Sequence, residues 1–189
     1  MKLIWLKYIG IFLGATIAIA IVAVLITQRV SDGPIEFLQG GSFKTGELVE
    51  APITDWSFAE DKRTEFELVG YGTSRTAGFI IHEGVAYMTC DLGFMWNRFD
   101  GGMQKWILNL IYVFKRWHED AVEDGRGLLR VEGKLYKTNF VKVEDPGLNA
   151  ILRSRLEDLA REYFAPQELG PPPTQAPNDV WFFRMDPRT

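Results

Sequence analysis

The chain opens on an unbroken apolar stretch and becomes patterned only afterwards. Residues 8–28, YIGIFLGATIAIAIVAVLITQ, hold no charge and no polar stripe, and are flanked by Lys7 and Arg29. As a helix rising roughly 1.5 Å per residue, such a stretch reaches about 30 Å, the thickness of a bilayer core. It reads as one transmembrane helix ahead of a folded domain, contacting membrane lipid through residues 8–28. A cleaved secretory leader is the alternative, because Ala18-Ile19-Ala20 has small residues at a cleavage spacing. The run continues past that point to Ile26, and hydrophobicity on every side suits lipid better than the core of a domain.

From residue 45 the apolar period falls to two. Strands are expected at 47–49, at 56–58 and over 64–72, where Phe66 and Leu68 alternate with charged neighbours. Residues 75–82 and 85–90 flank Glu83-Gly84, and residues 127–131 and 134–143 flank Glu132-Gly133. Two-residue links of this kind make tight hairpins. Beyond Pro146 the period lengthens, placing Leu148, Ile151, Leu152, Leu159 and Tyr163 near one helical face. Residues 165–178 contain five prolines and read as an extended surface crossing. The closing VWFFRMDP then returns to the sheet as a last strand.

The fold expected is mainly β with added helices: a barrel of six or so antiparallel strands, preceded by one N-terminal transmembrane helix. Residues 1–29 form the anchor and 30–44 a Gly- and Ser-containing tether. Residues 45–189 form the barrel domain, with a helical insertion near 101–123 and the Pro-rich crossing at 165–178.

Charge narrows the partners. Without Lys2, Lys7 and Arg29, 18 of the 21 basic residues stand against all 25 acidic ones, a net of −7. An acidic domain repels a phosphate backbone, so nucleic acid is not an expected partner. Lys2 and Lys7 on the short amino side, against Arg29 and then Lys44 on the other, place the domain outside the cytoplasm, on the periplasmic side. The lone Cys90 cannot form an internal disulfide.

The densest cluster of titratable residues is WHEDAVED at 117–124. On a helix Glu119 and Glu123 share one face and Asp120 and Asp124 another, so the acids do not converge on His118. The other histidine, His82, falls in a strand without a second imidazole nearby. No metal site is therefore expected. The four acids read as a solvated helix face ending at Gly125 in a left-handed cap. Trp117 and His118 point inward, to line a pocket or fill a core. Ser74 is not in a Gly-x-Ser-x-Gly elbow, so a hydrolase finds no support.

The order of features from Phe66 to Val143, with SRTAGFIIHEGVAYM at 74–88 and DGRGLLRVEGKLYKTNFVKVEDP at 124–146, resembles the split-barrel flavin-binding superfamily. The nearest in kind are the pyridoxamine-phosphate-oxidase-like proteins and the deazaflavin-dependent nitroreductases. The resemblance implies a split β-barrel, usually paired as a homodimer. It implies FMN or a deazaflavin as cofactor, with the phosphate held by Ser74, Arg75 and Thr76. It also implies that Lys115, Trp117 and His118 meet the cofactor ring or substrate. Cys90-Asp91-Leu92 departs from that pattern, because a carboxylate there repels a phosphate. The segment GGMQKWILNLIYVF at 101–114 is an insertion whose apolar residues suit the membrane interface, a cover over the barrel mouth or a dimer seam.

The function expected is thus a membrane-anchored split-barrel oxidoreductase passing electrons to a small acceptor. The alternative is a non-catalytic, envelope-associated binding module that has lost the cofactor. In either case the ligand is a small molecule.

Overall fold

The fold is given by a computed structural model that describes residues 2–35, 38–93, 115–163 and 179–189. The insertion at 101–114 and the crossing at 165–178 lie outside the described residues. Helix α1, Lys2–Val30, contains the stretch Tyr8–Val30, which has a mean hydropathy of 2.9 and no part buried by protein. It is long and apolar enough to cross a membrane.

The chain does not leave this helix as a free linker. Ser31 N–H donates to Thr27 O at 2.9 Å, Gly41 N–H donates to Ser31 Oγ at 3.0 Å, and the Lys44 ammonium donates to Val30 O at the helix end. Basic side chains commonly satisfy such orphaned terminal carbonyls. Residues 31–35 and 38–45 then form a collar bound to the domain. Asp32 pairs with Arg130 at 3.0 Å, and Phe43 N–H donates to Glu67 Oε2 at 2.7 Å while its ring lies 4.2 Å from the Arg130 guanidinium. Glycine is required where the collar folds on itself: a Cβ on Gly40 would come within 1.8 Å of Gly33 O, and one on Gly41 within 2.7 Å of Arg29 O.

The strands are β1 (Glu47–Val49), β2 (Thr64–Leu68), β3 (Thr73–Ala77), β4 (Phe79–His82), β5 (Val85–Asp91), β6 (Arg126–Val131), β7 (Lys134–Lys142) and β8 (Val180–Pro187). Both expected hairpins are present. Glu83 and Gly84 have φ of 53° and 76°, and Glu132 and Gly133 have 49° and 77°, the left-handed pair that matches strand twist in a two-residue turn. The strand expected over 75–82 breaks at Gly78. Its first half, β3, pairs with β2, while its second half, β4, pairs with β5. Because the sheet order is β3-β2-β6-β7-β8-β5-β4, its two ends belong to one chain segment, and the sheet curls into a half-barrel whose edges share the Gly78 corner. Glycine suits such a corner. All pairs along this path are antiparallel; β1 adds in parallel to the start of β7, Glu47 opposite Lys134.

Strand character expected at 56–58 is replaced by a 3-10 turn, Ser57–Ala59. Asp55 Oδ1 accepts from Ser57 N–H at 2.9 Å and from its hydroxyl at 2.6 Å, a local bond that competes with sheet pairing. Trp56 is nonetheless buried, so the aromatic signal marked core and not strand.

Two apolar layers explain why β5 and β8 read as apolar on both faces. Inside the curl, Phe66, Leu68, Met88, Leu129, Phe140, Phe183 and Met185 pack with Trp117 of α2, Trp117–Glu123. Outside it, Ile80, Tyr87, Val180 and Phe182 lie under Leu148, Leu152, Leu156 and Leu159 of α3, Pro146–Tyr163. Ile151, expected on the buried face of α3, is 45% exposed. Helix α2 does not end in a left-handed glycine cap as expected. Its cap residue is Asp124, in extended conformation. Gly125 is instead a close approach, its carbonyl accepting Phe140 N–H at 2.7 Å where a Cβ would lie 2.6 Å from Phe140 O.

Candidate functional site

Strand β3 carries the three residues expected to hold a phosphate, and strand alternation separates them. Ser74 lies opposite Glu67, fully buried, and its hydroxyl donates to Gly41 O at 2.5 Å. It is a fastener of the collar. Thr76 is exposed and lines an open groove of about 1030 Å³ beside the Gly78 corner. Arg75 points the other way, on the side of its register partner Phe66 and hence toward the inside of the curl. The expected Ser74–Arg75–Thr76 cradle is therefore not assembled; only Arg75 faces the interior.

Arg75 is half-buried. Its Nη2 donates to the Gln39 side-chain carbonyl, its Nε makes no hydrogen bond, and no carboxylate lies within ion-pair distance of it among the described residues. Burial pulls its pKa below the ordinary arginine value, opposed by Cys90 and Asp120. A guanidinium that loses water without gaining a carboxylate is an unusual arrangement, because burying an ion costs several kcal/mol unless it is paired (about this much after relaxation).

Around Arg75 the structure gathers groups from β5 and the start of α2. Cys90 is fully buried, and burial pushes its thiol up to about 12, against the opposing charge of Lys115. It is a protonated core thiol and not a nucleophile. Lys115 donates from Nζ to Asp91 O at 2.6 Å. The Asp91 carboxylate accepts Gly93 N–H at 2.8 Å through Oδ1, closing a turn. His118 is buried with its ring edge-on to Trp181, centroids 4.8 Å apart, and its Nδ1 makes no hydrogen bond. Burial lowers its pKa, opposed by Glu119, which favours the neutral ring.

Trp117, by contrast, belongs to the core. It lies 4.8 Å from Phe66 and 5.5 Å from Phe183, ring to ring, and is 4% exposed. Cys90 thus interacts with both Arg75 and Lys115, and Asp120 with both Arg75 and His118. Glu119 and Glu123 are exposed, as a solvated face requires. Sequence reasoning missed Gln39. Nothing in the pattern of Gln39-Gly40-Gly41 announces that the collar pairs with β3 through Gly40 and Ser74.

The arrangement suits an anion: one inward guanidinium, an imidazole with a ring nitrogen unused, and, among the described residues, no carboxylate on Arg75. No protein-family model matches the chain, and no match is found among curated proteins or solved structures.

Proposed function

We propose that this protein is a membrane-anchored β-barrel module that binds a small anionic molecule at Arg75, with the domain on the outer side of the membrane. The observation that carries the reading is the half-buried Arg75 guanidinium with an unbonded Nε and no carboxylate partner among the described residues. An anion placed there would recover the cost of desolvating that charge. The non-catalytic form of the reading is the better supported one. Ser74 is committed to Gly41, Thr76 faces the opposite side, Trp117 fills the core, and Cys90 is protonated.

A second reading keeps the split-barrel resemblance and takes the anion as the phosphate of FMN or of a deazaflavin, making the protein an oxidoreductase. It is favoured by the unbonded Nδ1 of buried His118, a group able to hydrogen-bond a ligand ring. The cofactor would supply the redox chemistry, and the chain would bind and orient it.

Titration of the detergent-solubilised full chain with FMN, riboflavin, a deazaflavin phosphate and inorganic phosphate separates these. Under the flavin reading FMN binds about tenfold or more tighter than riboflavin, because only FMN offers Arg75 a phosphate. Binding of phosphate but of neither flavin leaves the module reading alone. Absence of binding by all four up to about 1 mM, an affinity near −4 kcal/mol, sinks both.

A further inference from the structure

A second site lies where the end of α1 meets the domain, bordered by Gln39, the partner of Arg75. A semi-enclosed groove of about 340 Å³ lies there, within the roughly 300–1,000 Å³ range of small-molecule sites. One wall is the last turn of the apolar helix: Leu25, Gln28 and Arg29. The other is the collar at Gln39, Gly40 and Gly41, with Tyr71 from the β2–β3 turn and Thr73 at the start of β3. The collar holds the two walls together through Ser31, Gly41 and the Lys44 bond to Val30 O. The groove therefore has fixed geometry.

Its chemistry is ordered along the helix. Leu25 lies toward the apolar stretch, and Gln28, Arg29 and Thr73 supply donors toward the domain. In an acidic chain, no carboxylate among the described residues lines this groove, although Glu123 accepts the hydroxyl of its Tyr71 at 3.0 Å. Arg29 is exposed and has no ion-pair partner among the described residues. If α1 spans a bilayer, Arg29 stands at headgroup level, where basic residues flank apolar helices. We propose that this groove holds one anionic phospholipid, its phosphate on Arg29 and Thr73 and its acyl chains descending past Leu25. The two sites share Gln39, but the lipid contacts proposed are on Arg29 and Thr73 and not on Arg75, so failure here would leave the anion reading at Arg75 standing.

The test uses the full chain, extracted from vesicles of phosphatidylcholine mixed with phosphatidylglycerol, with bound lipid counted by native mass spectrometry. A single phosphatidylglycerol is expected to survive extraction. Arg29→Gln should weaken retention about tenfold, the effect of losing one charge-assisted contact at an exposed site, and Arg29→Lys should restore part of it. Arg116→Gln, which removes an exposed arginine paired with Glu119, should change nothing. Equal retention of phosphatidylcholine, an Arg29→Gln protein that binds as the parent does, or displacement of the lipid by excess inorganic phosphate would each overturn the proposal.

Discussion

Phe66→Ala is expected to destabilise the domain by about 3–5 kcal/mol, the range for removing a large aromatic from a packed core. Phe66 is 1% exposed at the centre of an aromatic stack, 4.8 Å from Trp117 and 5.3 Å from Phe140 by ring centroids. No neighbour can close the gap without moving α2, which Trp117 pins to the sheet. The change should also loosen the start of α2, and with it His118, so Trp117 emission should shift before global unfolding. Phe66→Leu keeps most of the volume and should cost about 1.5 kcal/mol or less. Denaturant unfolding of the detergent-solubilised chain, followed by tryptophan fluorescence, measures both. A loss below about 1 kcal/mol for Phe66→Ala would mean that this stack does not support the curl.

Arg130→Met should be the other large effect, about 2–3 kcal/mol, because it removes the guanidinium that two acids share and leaves Glu65 only a 3.4 Å pair with Arg63 and Asp32 only its collar donors. Arg130 donates from Nε to Glu65 at 2.7 Å and from Nη1 to Asp32 at 3.0 Å, and its side chain and that of Glu65 are each 14% exposed. Since Asp32 belongs to the collar and Glu65 to β2, the variant should free residues 31–45 from the sheet while leaving the core intact. Limited proteolysis would detect this as new cleavage confined to the collar.

The same network predicts a pH dependence. Burial alone would raise the Asp32 pKa. Donation from Lys44 N–H, the Thr45 hydroxyl and Arg130 outweighs it and leaves the carboxyl well below its ordinary value. A depressed carboxyl contributes stability that is complete above its unfolded value of about 4 and lost as pH falls toward its folded one. Collar protection should therefore persist at neutral pH and fail only in strong acid. In Asp32→Asn the acid-dependent part should disappear.

What the sequence disclosed, and what it hid, follows the range of the interactions involved. The two hairpins, the last strand and the apolar helix were legible because each rests on a local signal: Glu-Gly links, period-two alternation, an uncharged run. The break at Gly78 was not, since nothing local distinguishes one strand of eight residues from two halves pairing with opposite ends of a sheet. The collar was hidden for the same reason. Ser31, Asp32 and Gly41 look like a polar linker until Ser74 supplies a partner for Gly41 and Arg130, 98 positions on, one for Asp32.

At the candidate site, Arg75, Lys115 and His118 were named from resemblance, and the structure links them in part: Cys90 interacts with Arg75 and Lys115, and Asp120 with Arg75 and His118. Ser74 and Thr76 were named with Arg75 from the same resemblance, as three consecutive residues. On a strand, adjacency is what places side chains on opposite faces. Trp117 was read as either pocket or core, and Phe66, Phe140 and Phe183 around it decide for core.

The anion site at Arg75 is the central claim, and the most direct measurement is calorimetric titration of the parent chain, Arg75→Ala and Arg75→Lys with FMN and with inorganic phosphate at fixed low salt. Arg75→Ala is expected to lose about tenfold to hundredfold in affinity, the worth of a charge-assisted contact. Arg75→Lys should recover only part of that, because an ammonium lacks the planar fork. Stability of Arg75→Ala should not fall and is expected to rise slightly, since a desolvated charge is removed. Anion binding to Arg75→Ala as tight as to the parent would contradict the assignment of the site.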